Sequence, residues 1–226
     1  MTARVGVVRF PGTNCELDVV WALEQLGGVA ELLWHGDATL GGVDAVVVPG
    51  GFAHGDYLRT GAIARFSPVM AAVERFAAEG GPVVGVCNGF QVLCEAGLLP
   101  GALQRNAGMK FLCETVEVRV ETSTTALTGR ASIGQVLRVP INHFEGNYVC
   151  DAGALDRLRA EERVVVRYVQ NPNGSLDDIA GVCNEGRNVV GLMPHPERAS
   201  EAILGSDDGA VLLASLLDAA TDRRAA

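Results

Sequence analysis

Cys87 ends an apolar run and lies between two glycines, a pattern typical of a nucleophile on a tight turn. The run Val-Val-Gly-Val at 83–86 stops at Cys87, with Gly85 two positions before it and Gly89 two positions after. A nucleophile at such a turn has a strained backbone, and larger side chains at the flanking positions would collide. The amino end of a following helix favours the thiolate. A tight turn that carries an inert thiol is the alternative interpretation of this segment.

His195 is the candidate base for this cysteine. It lies between Pro194 and Pro196, which stiffen the loop and fix the direction of the imidazole. Glu197 follows two positions later and can accept the second ring N–H, which sets the tautomer and stabilises the imidazolium. The His-Pro-Glu segment alone is equally compatible with a surface turn. Together with Cys87, however, it supplies the groups of a Cys-His-carboxylate triad.

Acyl transfer by a cysteine also needs hydrogen-bond donors for a developing oxyanion. The amide N–H of Asn88, directly after the cysteine, is one candidate. The segment Pro-Gly-Gly-Phe at 49–52 is another, because glycines allow backbone N–H groups to approach a carbonyl oxygen closely. An ordinary glycine-rich turn is the alternative interpretation of that segment.

The elements that must position these residues alternate between strand and helix, which predicts an α/β fold with an open, mostly parallel sheet flanked by helices. Predicted strands are 5–10, 29–34, 45–48, 82–86 and 189–193, and predicted helices are 15–26, 68–79 and 88–96. All three candidate segments directly follow a strand, so we expect them at the carboxyl edge of the sheet, where open α/β proteins bind ligands.

The second half of the chain predicts additional strands of a different kind. Val116, Val118 and Val120 alternate with charged residues, which is typical of an antiparallel strand with one solvated face. Further strands are predicted at 136–140, 164–168, 179–183, and further helices at 151–160 and 208–221, with 223–226 expected to fray. No linker or repeat interrupts the pattern, so residues 1–226 are interpreted as one domain.

Composition excludes several classes of function. The 18 lysines and arginines against 27 aspartates and glutamates give a formal charge of −9, which disfavours nucleic-acid binding. No apolar stretch approaches the roughly 20 residues of a transmembrane helix. The amino-terminal segment lacks the features of a signal peptide, so we expect a cytoplasmic protein. The six cysteines contain no Cys-x-x-Cys pair, which argues against a structural metal site and against disulfides.

The three segments, in this order, resemble the class I (triad) glutamine amidotransferases. Within that class, the chain is similar over essentially its whole length to the glutaminase subunits of phosphoribosylformylglycinamidine synthases. The segments that carry this narrower resemblance are 10–16, 55–66, 145–148 and 178–184.

The resemblance implies that Cys87 attacks the side-chain amide of glutamine, His195 moves the proton and Glu197 orients His195. It implies an oxyanion hole formed by Asn88 and by Gly51 or its neighbour, and substrate contacts from Gly50 and Gln91. His143 and Glu145 are expected to line the pocket or an interface.

The resemblance also implies that ammonia passes to a partner. The chain contains no P-loop and no kinase-like glycine loop. No cofactor is therefore expected in this chain, and ATP and Mg²⁺ are expected in a separate large synthetase subunit, with a small third subunit in the complex. The segment 52–66, rich in polar and aromatic residues, is a hypothetical docking surface for that partner.

Three other interpretations remain open from the residues. The chain could serve a different amidotransferase complex, which identification of its synthetase partner would decide. It could be an elbow-cysteine redox protein or hydrolase, which would oxidise readily and form no glutamine-dependent thioester. It could also be a binding module without activity.

Overall fold

A nine-stranded mixed sheet forms the centre of the protein, seen here in a computed structural model that describes residues 2–225. The strands, in chain order, are β1 (Arg4–Arg9), β2 (Val29–Trp34), β3 (Ala45–Val48), β4 (Val83–Val86), β5 (Ala102–Gln104), β6 (Leu112–Val120), β7 (Val136–His143), β8 (Asn147–Val149), β9 (Val164–Tyr168), β10 (Ile179–Cys183) and β11 (Val189–Leu192). The α-helices of the described residues are α1 (Glu16–Gln25), α2 (Pro68–Ala78), α3 (Asn88–Glu95), α4 (Ala152–Ala160) and α5 (Asp208–Ala225).

The order of strands across the sheet is β2-β1-β3-β4-β11-β10-β9-β6-β7. The five strands from β2 to β11 are parallel, and the pairs from β11 to β7 are antiparallel. Strands β5 and β8 form a separate two-stranded sheet. The predicted α/β architecture, with a parallel centre and additional antiparallel strands, is confirmed.

The sequence pattern of each strand matches its position in the sheet. Every residue of β3 and β4 is buried, as expected of central parallel strands covered on both faces. In β6 the buried residues Val116, Val118 and Val120 alternate with exposed charged ones. Helix α3 packs on β3, β4 and β11, while α5 packs on β1, β3 and β7.

The pairing of β4 with β11 joins two distant parts of the chain. The two strands are parallel neighbours, with Val86 opposite Leu192. Because the carboxyl ends of parallel neighbours meet at the same edge, the loops that begin at Cys87 and Met193 emerge side by side. This pairing brings the predicted nucleophile and the predicted base together.

Three local predictions differ from the structure. Strands β5 and β8 were not predicted, since three residues are too few for a periodic signal. Helix α1 covers Glu16–Gln25 and not the predicted 15–26, with Cys15 at its N-cap position and no side-chain cap. The amide oxygen of Asn14 accepts a hydrogen bond from the Cys15 thiol at 3.1 Å.

Helix α5 ends at Ala225, beyond the predicted end at residue 221, so residues 223–225 are helical where fraying was predicted. Residue 226, the last of the predicted frayed segment, lies outside the described residues. The guanidinium of Arg223 lies 4.2 Å from the centre of the Phe76 ring, a cation–π contact between the end of α5 and α2. Although α5 is the longest helix described, neither it nor any other helix within residues 2–225 combines the length and hydropathy needed to cross a bilayer.

Candidate active site

Cys87 occupies a strained turn between β4 and α3. Its φ of 51° and ψ of −106° lie outside the common regions for a residue with a side chain. A Cβ atom on Gly89 would lie 1.8 Å from the carbonyl oxygen of Val48, and one on Gly85 would lie 2.7 Å from the backbone of Gly89. The predicted steric requirement for two glycines is confirmed, and the turn is locked by a 2.8 Å hydrogen bond from the Cys87 N–H to the Leu192 carbonyl.

His195 and Glu197 form a buried pair in the loop after β11. Nδ1 of His195 lies 2.6 Å from Oε1 of Glu197, and both side chains are almost fully buried. The backbone N–H of His195 donates to the carbonyl of Pro140 at 2.8 Å, which anchors this loop to β7. Nε2 of His195 is buried and has no hydrogen-bond partner among residues 2–225.

The charge state of His195 follows from its neighbours. Burial by itself lowers the pKa of His195, but the Glu197 carboxylate and, next, the Cys87 sulfur outweigh it and raise the pKa well above its usual value. The structure thus favours an imidazolium whose Nδ1–H points at Glu197 and whose second proton is on Nε2. Such a group can donate a proton to a leaving amine.

Two backbone N–H groups near Cys87 are free to bind an oxyanion. Neither the N–H of Gly51 nor that of Asn88 donates one of the hydrogen bonds described for residues 2–225. The N–H of Phe52, by contrast, donates to the carbonyl of Gly12 at 2.9 Å. Of Gly51 and its neighbour Phe52, only Gly51 therefore has a backbone N–H available to an oxyanion. Its φ of 146° is a conformation that favours glycine.

Gly50 leaves room for the imidazole. A Cβ atom at Gly50 would lie 2.7 Å from Cε1 of His195 and 3.5 Å from Cβ of Cys87. Any larger residue would displace the ring from the nucleophile. The predicted contact between Gly50 and the substrate stays a prediction.

The side chain of Asn88 connects α3 to the loop after β3, a role the sequence did not indicate. Its oxygen accepts the N–H of Ala53 at 3.0 Å, and its amide donates to Asp56 at 3.0 Å and to Gln91 at 2.9 Å. Gln91 in turn donates to the backbone carbonyl of Glu145. Gln91 is 5% exposed, and both the oxygen and the nitrogen of its amide form hydrogen bonds within the protein. Its predicted contact with the substrate stays a prediction.

A cavity of about 300 Å³ lies over these groups. Its lining combines the reactive side chains of Cys87 and His195 with the charged side chains of Asp56, Arg105 and Glu145. Gly51 and Gln91 also line it. The cavity therefore offers a nucleophile, an acid and charged recognition groups to one small polar molecule.

His143 lines the same cavity as a neutral imidazole. The amide nitrogen of Asn106 donates to the carbonyls of Lys110 and His143, so its oxygen must accept the Nδ1–H of His143 at 3.0 Å. Burial, together with the charge on His195, lowers the pKa of His143 to about 4. The expectation that this segment lines the pocket is confirmed, and a neutral His143 leaves proton transfer to His195.

Cys15, which the sequence does not single out as functional, lies beside the triad. Ligand atoms of Cys15, His195 and Glu197 lie within 4.8 Å of one another, the only such metal-compatible trio found in residues 2–225. Arg198 donates to the Cys15 sulfur at 3.2 Å. Because this guanidinium adds positive charge and Glu197 is already bonded to His195, the arrangement favours a hydrogen-bonded pair over a metal centre.

Comparison with known proteins gives consistent matches over most of the chain. The family model described as a CobB/CobQ-like glutamine amidotransferase domain matches residues 2–207. The phosphoribosylformylglycinamidine synthase subunit PurQ of Rubrobacter xylanophilus is 61% identical over 214 residues, covering 95% of this chain and 97% of that protein. The subunit of the same name from Mycobacterium tuberculosis is 59% identical over 220 residues, covering 97% of this chain and 98% of that protein.

One solved structure is similar in both sequence and shape. A chain from the structure of PurLQS from Thermotoga maritima superposes with a TM-score of 0.89 at 41% identity, covering 96% of this chain and 99% of that one.

Proposed function

The chain belongs to the CobB/CobQ-like glutamine amidotransferase family, and we propose on this premise that it is the glutamine-hydrolysing subunit of a phosphoribosylformylglycinamidine synthase. The observation that carries the proposal is the arrangement of Cys87 on its strained turn beside the buried His195–Glu197 pair. The PurQ subunits of Rubrobacter xylanophilus and Mycobacterium tuberculosis match nearly the whole chain. This match supports a role for the chain in the phosphoribosylformylglycinamidine synthase reaction of de novo purine biosynthesis.

The reaction follows from the chemistry of these side chains. The Cys87 sulfur adds to the side-chain carbonyl carbon of glutamine, and the oxyanion accepts hydrogen bonds from the N–H groups of Gly51 and Asn88. His195 gives its Nε2 proton to the amide nitrogen, the C–N bond breaks and ammonia leaves. Water, deprotonated by His195, then cleaves the thioester to give glutamate and the free cysteine.

The ammonia is consumed by a partner. The PurLQS complex of Thermotoga maritima supports association of this chain with a large and a small subunit. The large subunit, with ATP and Mg²⁺, would activate formylglycinamide ribonucleotide and convert it to the amidine. This division of labour requires no cofactor in the present chain.

A cytoplasmic location is part of the proposal. All six cysteines are free, and a catalytic thiol beside a second buried thiol is best maintained in a reducing compartment. Cell fractionation would test the location directly.

The function is tested by measuring glutamate release and product amidine with the large and small subunits, ATP, Mg²⁺ and formylglycinamide ribonucleotide. We expect Cys87→Ser to abolish glutamine-dependent synthesis, because a hydroxyl is hardly ionised, while ammonium at high pH still supports synthesis. Cys113→Ser, at an exposed thiol on β6, is the matched control. Wild-type glutamate release by Cys87→Ser would contradict the proposal.

A further inference from the structure

Cys15 is a buried thiol beside the nucleophile that the hydrolysis mechanism does not use. It occupies the N-cap position of α1, is 2% exposed and lines the same cavity as Cys87. Its backbone N–H donates to the carbonyl of Gly50 at 3.3 Å, which ties the amino end of α1 to the loop after β3. A second thiol in this cavity is available for chemistry other than acyl transfer.

Gly50 leaves a gap between the two sulfur-bearing side chains. A Cβ atom at this position would lie 3.1 Å from the sulfur of Cys15 and 3.5 Å from Cβ of Cys87. Both cysteines therefore border the space that a side chain at residue 50 would fill. Closure to a disulfide needs only rotation of the two cysteine side chains into this space, with no side chain of residue 50 in the way.

Positive groups lie beside both sulfurs. The guanidinium of Arg198 donates to the Cys15 sulfur at 3.2 Å. Burial lowers the pKa of His195, but Glu197 raises it, and the sulfurs of the two cysteines raise it further. Because such coupling is mutual, the imidazolium stabilises negative charge on either sulfur. The thiolate is the form of cysteine that attacks peroxides and oxidised sulfur.

Among the cysteines of residues 2–225, only Cys15 is placed to react with an oxidised Cys87. Cys94 lies seven residues along α3, about 10.5 Å from the start of the helix, whereas a disulfide spans at most roughly 7 Å between Cα atoms. Its thiol donates instead to the carbonyl of Pro100. The remaining three do not line the cavity and are Cys113, Cys150 and Cys183.

We propose that Cys87 is a site of reversible oxidation by hydrogen peroxide, that Cys15 closes the oxidised product to a disulfide, and that this bond switches off the proposed glutaminase function, on which the regulatory role rests. The Cys87 thiolate attacks one peroxide oxygen, the O–O bond breaks, and the second oxygen leaves as water with the proton held by His195. The Cys15 sulfur then displaces the hydroxyl of the sulfenic acid. The S–S bond forms, the S–O bond breaks, and the hydroxyl leaves as water with the proton of Cys15. The two thiols thus lose two electrons and two protons, and one hydrogen peroxide becomes two waters.

The experiment treats the reduced full chain with hydrogen peroxide, blocks the remaining thiols with N-ethylmaleimide and maps disulfides in the unreduced digest by mass spectrometry. Ammonia release from glutamine is measured on the same samples before oxidation, after oxidation and after addition of dithiothreitol. The test variant is Cys15→Ser, because serine is a good N-cap residue and preserves the start of α1 while removing the sulfur. The matched control is Cys113→Ser, which removes an exposed thiol on β6.

We expect the oxidised wild type and Cys113→Ser to contain a peptide that links Cys15 to Cys87. Their ammonia release should fall at least about tenfold, because the disulfide consumes the nucleophile, and dithiothreitol should restore nearly all of it. Cys15→Ser should also lose activity, since Cys87 is still oxidised. Without a second thiol the sulfenic acid proceeds to sulfinic acid, so this variant should recover little. Each rate is divided by that of the same reduced preparation, so a change in basal activity cancels.

Failure of this inference and failure of the proposed function give different results. If the oxidised wild type contains no peptide linking Cys15 to Cys87, or if Cys15→Ser recovers as fully as the wild type after the same exposure, the disulfide assignment is overturned. If the linked peptide forms but the reduced wild type hydrolyses no glutamine, alone or with the synthetase subunits, the modification site stands and the proposed glutaminase function fails.

Discussion

The buried pair of His195 and Glu197 sets the direction of proton transfer at the nucleophile. A charged imidazole in a buried position is costly unless a counter-charge lies at hydrogen-bond distance. Glu197 supplies that charge at 2.6 Å and is itself almost fully buried, so the charge is screened little by water. The imidazolium can then give its Nε2 proton to the amide nitrogen of glutamine, which leaves as ammonia when the C–N bond breaks.

Glu197→Gln tests this electrostatic role, because it keeps the shape but removes the charge. We expect kcat to fall by about 10²- to 10⁴-fold, as when the oriented tautomer of a triad histidine is lost. The carboxylate is the strongest of the groups that raise the pKa of His195, so its removal lowers that pKa. Activity that requires the imidazolium should then be lost at a lower pH on the alkaline side. A pH–rate profile would measure the shift, and an alkaline limb unchanged from wild type would contradict this role for Glu197.

The strands that carry the site could be predicted because their signals are local. Strands β3, β4 and β11 are short valine-rich runs, and each ends directly before a candidate segment. The sequence therefore predicts that these segments share one edge of the sheet. It does not predict that β4 and β11 are neighbours, because that pairing joins residues more than 100 positions apart and depends on how the whole sheet assembles.

The contacts made by side chains from separate loops were beyond sequence reasoning for the same reason. Nothing in the sequence sets Cys15 apart from the other cysteines, yet its sulfur lies beside His195 because α1 packs against the loop after β11. The sequence predicts a role only for the backbone N–H of Asn88, whereas the structure shows that its side chain connects α3 to the loop after β3. Polar contacts between loops leave no periodic pattern in a single sequence.

Asn88→Ala tests whether this connection positions the oxyanion donors. Loss of the amide leaves the buried Ala53 N–H and the Gln91 oxygen without their partner, so the free energy of unfolding should fall by about 1–3 kcal/mol. We also expect kcat to fall at least tenfold, because a displaced Gly51 N–H stabilises the oxyanion poorly.

Asn188→Ala is the matched control for stability. The Asn188 amide likewise donates two hydrogen bonds, to the carbonyls of Ala77 and Gly81, but it lies at the amino end of β11, away from the nucleophile. Urea unfolding and glutaminase assays of both variants separate the two effects. A loss of kcat in Asn188→Ala as large as in Asn88→Ala would mean that Asn88 acts through stability alone.

The whole molecule has to keep glutamine hydrolysis coupled to its use, and the segment 52–66 is suited to that task. Tyr57 and Leu58 are 73% and 91% exposed, so this segment presents apolar surface to solvent. His54, Asp56 and Leu58 all have positive φ, a strained conformation that surrounding contacts must maintain. The same segment begins beside Gly51 and contains Asp56, so docking of a partner here would act directly on the oxyanion donor and on the cavity lining.

Arg59→Ala probes this coupling without touching the triad. In the free chain Arg59 forms a two-hydrogen-bond ion pair with Glu95 of α3, at 2.7 and 2.6 Å, and fixes the segment to the helix that follows the nucleophile. The pair is exposed on the arginine side, so its loss should change the free energy of unfolding little. We expect the wild-type chain to hydrolyse glutamine slowly alone and much faster with the synthetase subunits, and Arg59→Ala to lower the activated rate several-fold more than the basal rate. If the ion pair transmits the activation, Glu95→Gln should reduce the activated rate as Arg59→Ala does. If Glu95→Gln is activated normally by the synthetase subunits, Arg59 instead contacts the partner directly. Equal rates for the free and complexed wild type, or full activation of Arg59→Ala, would refute the coupling while leaving the triad intact.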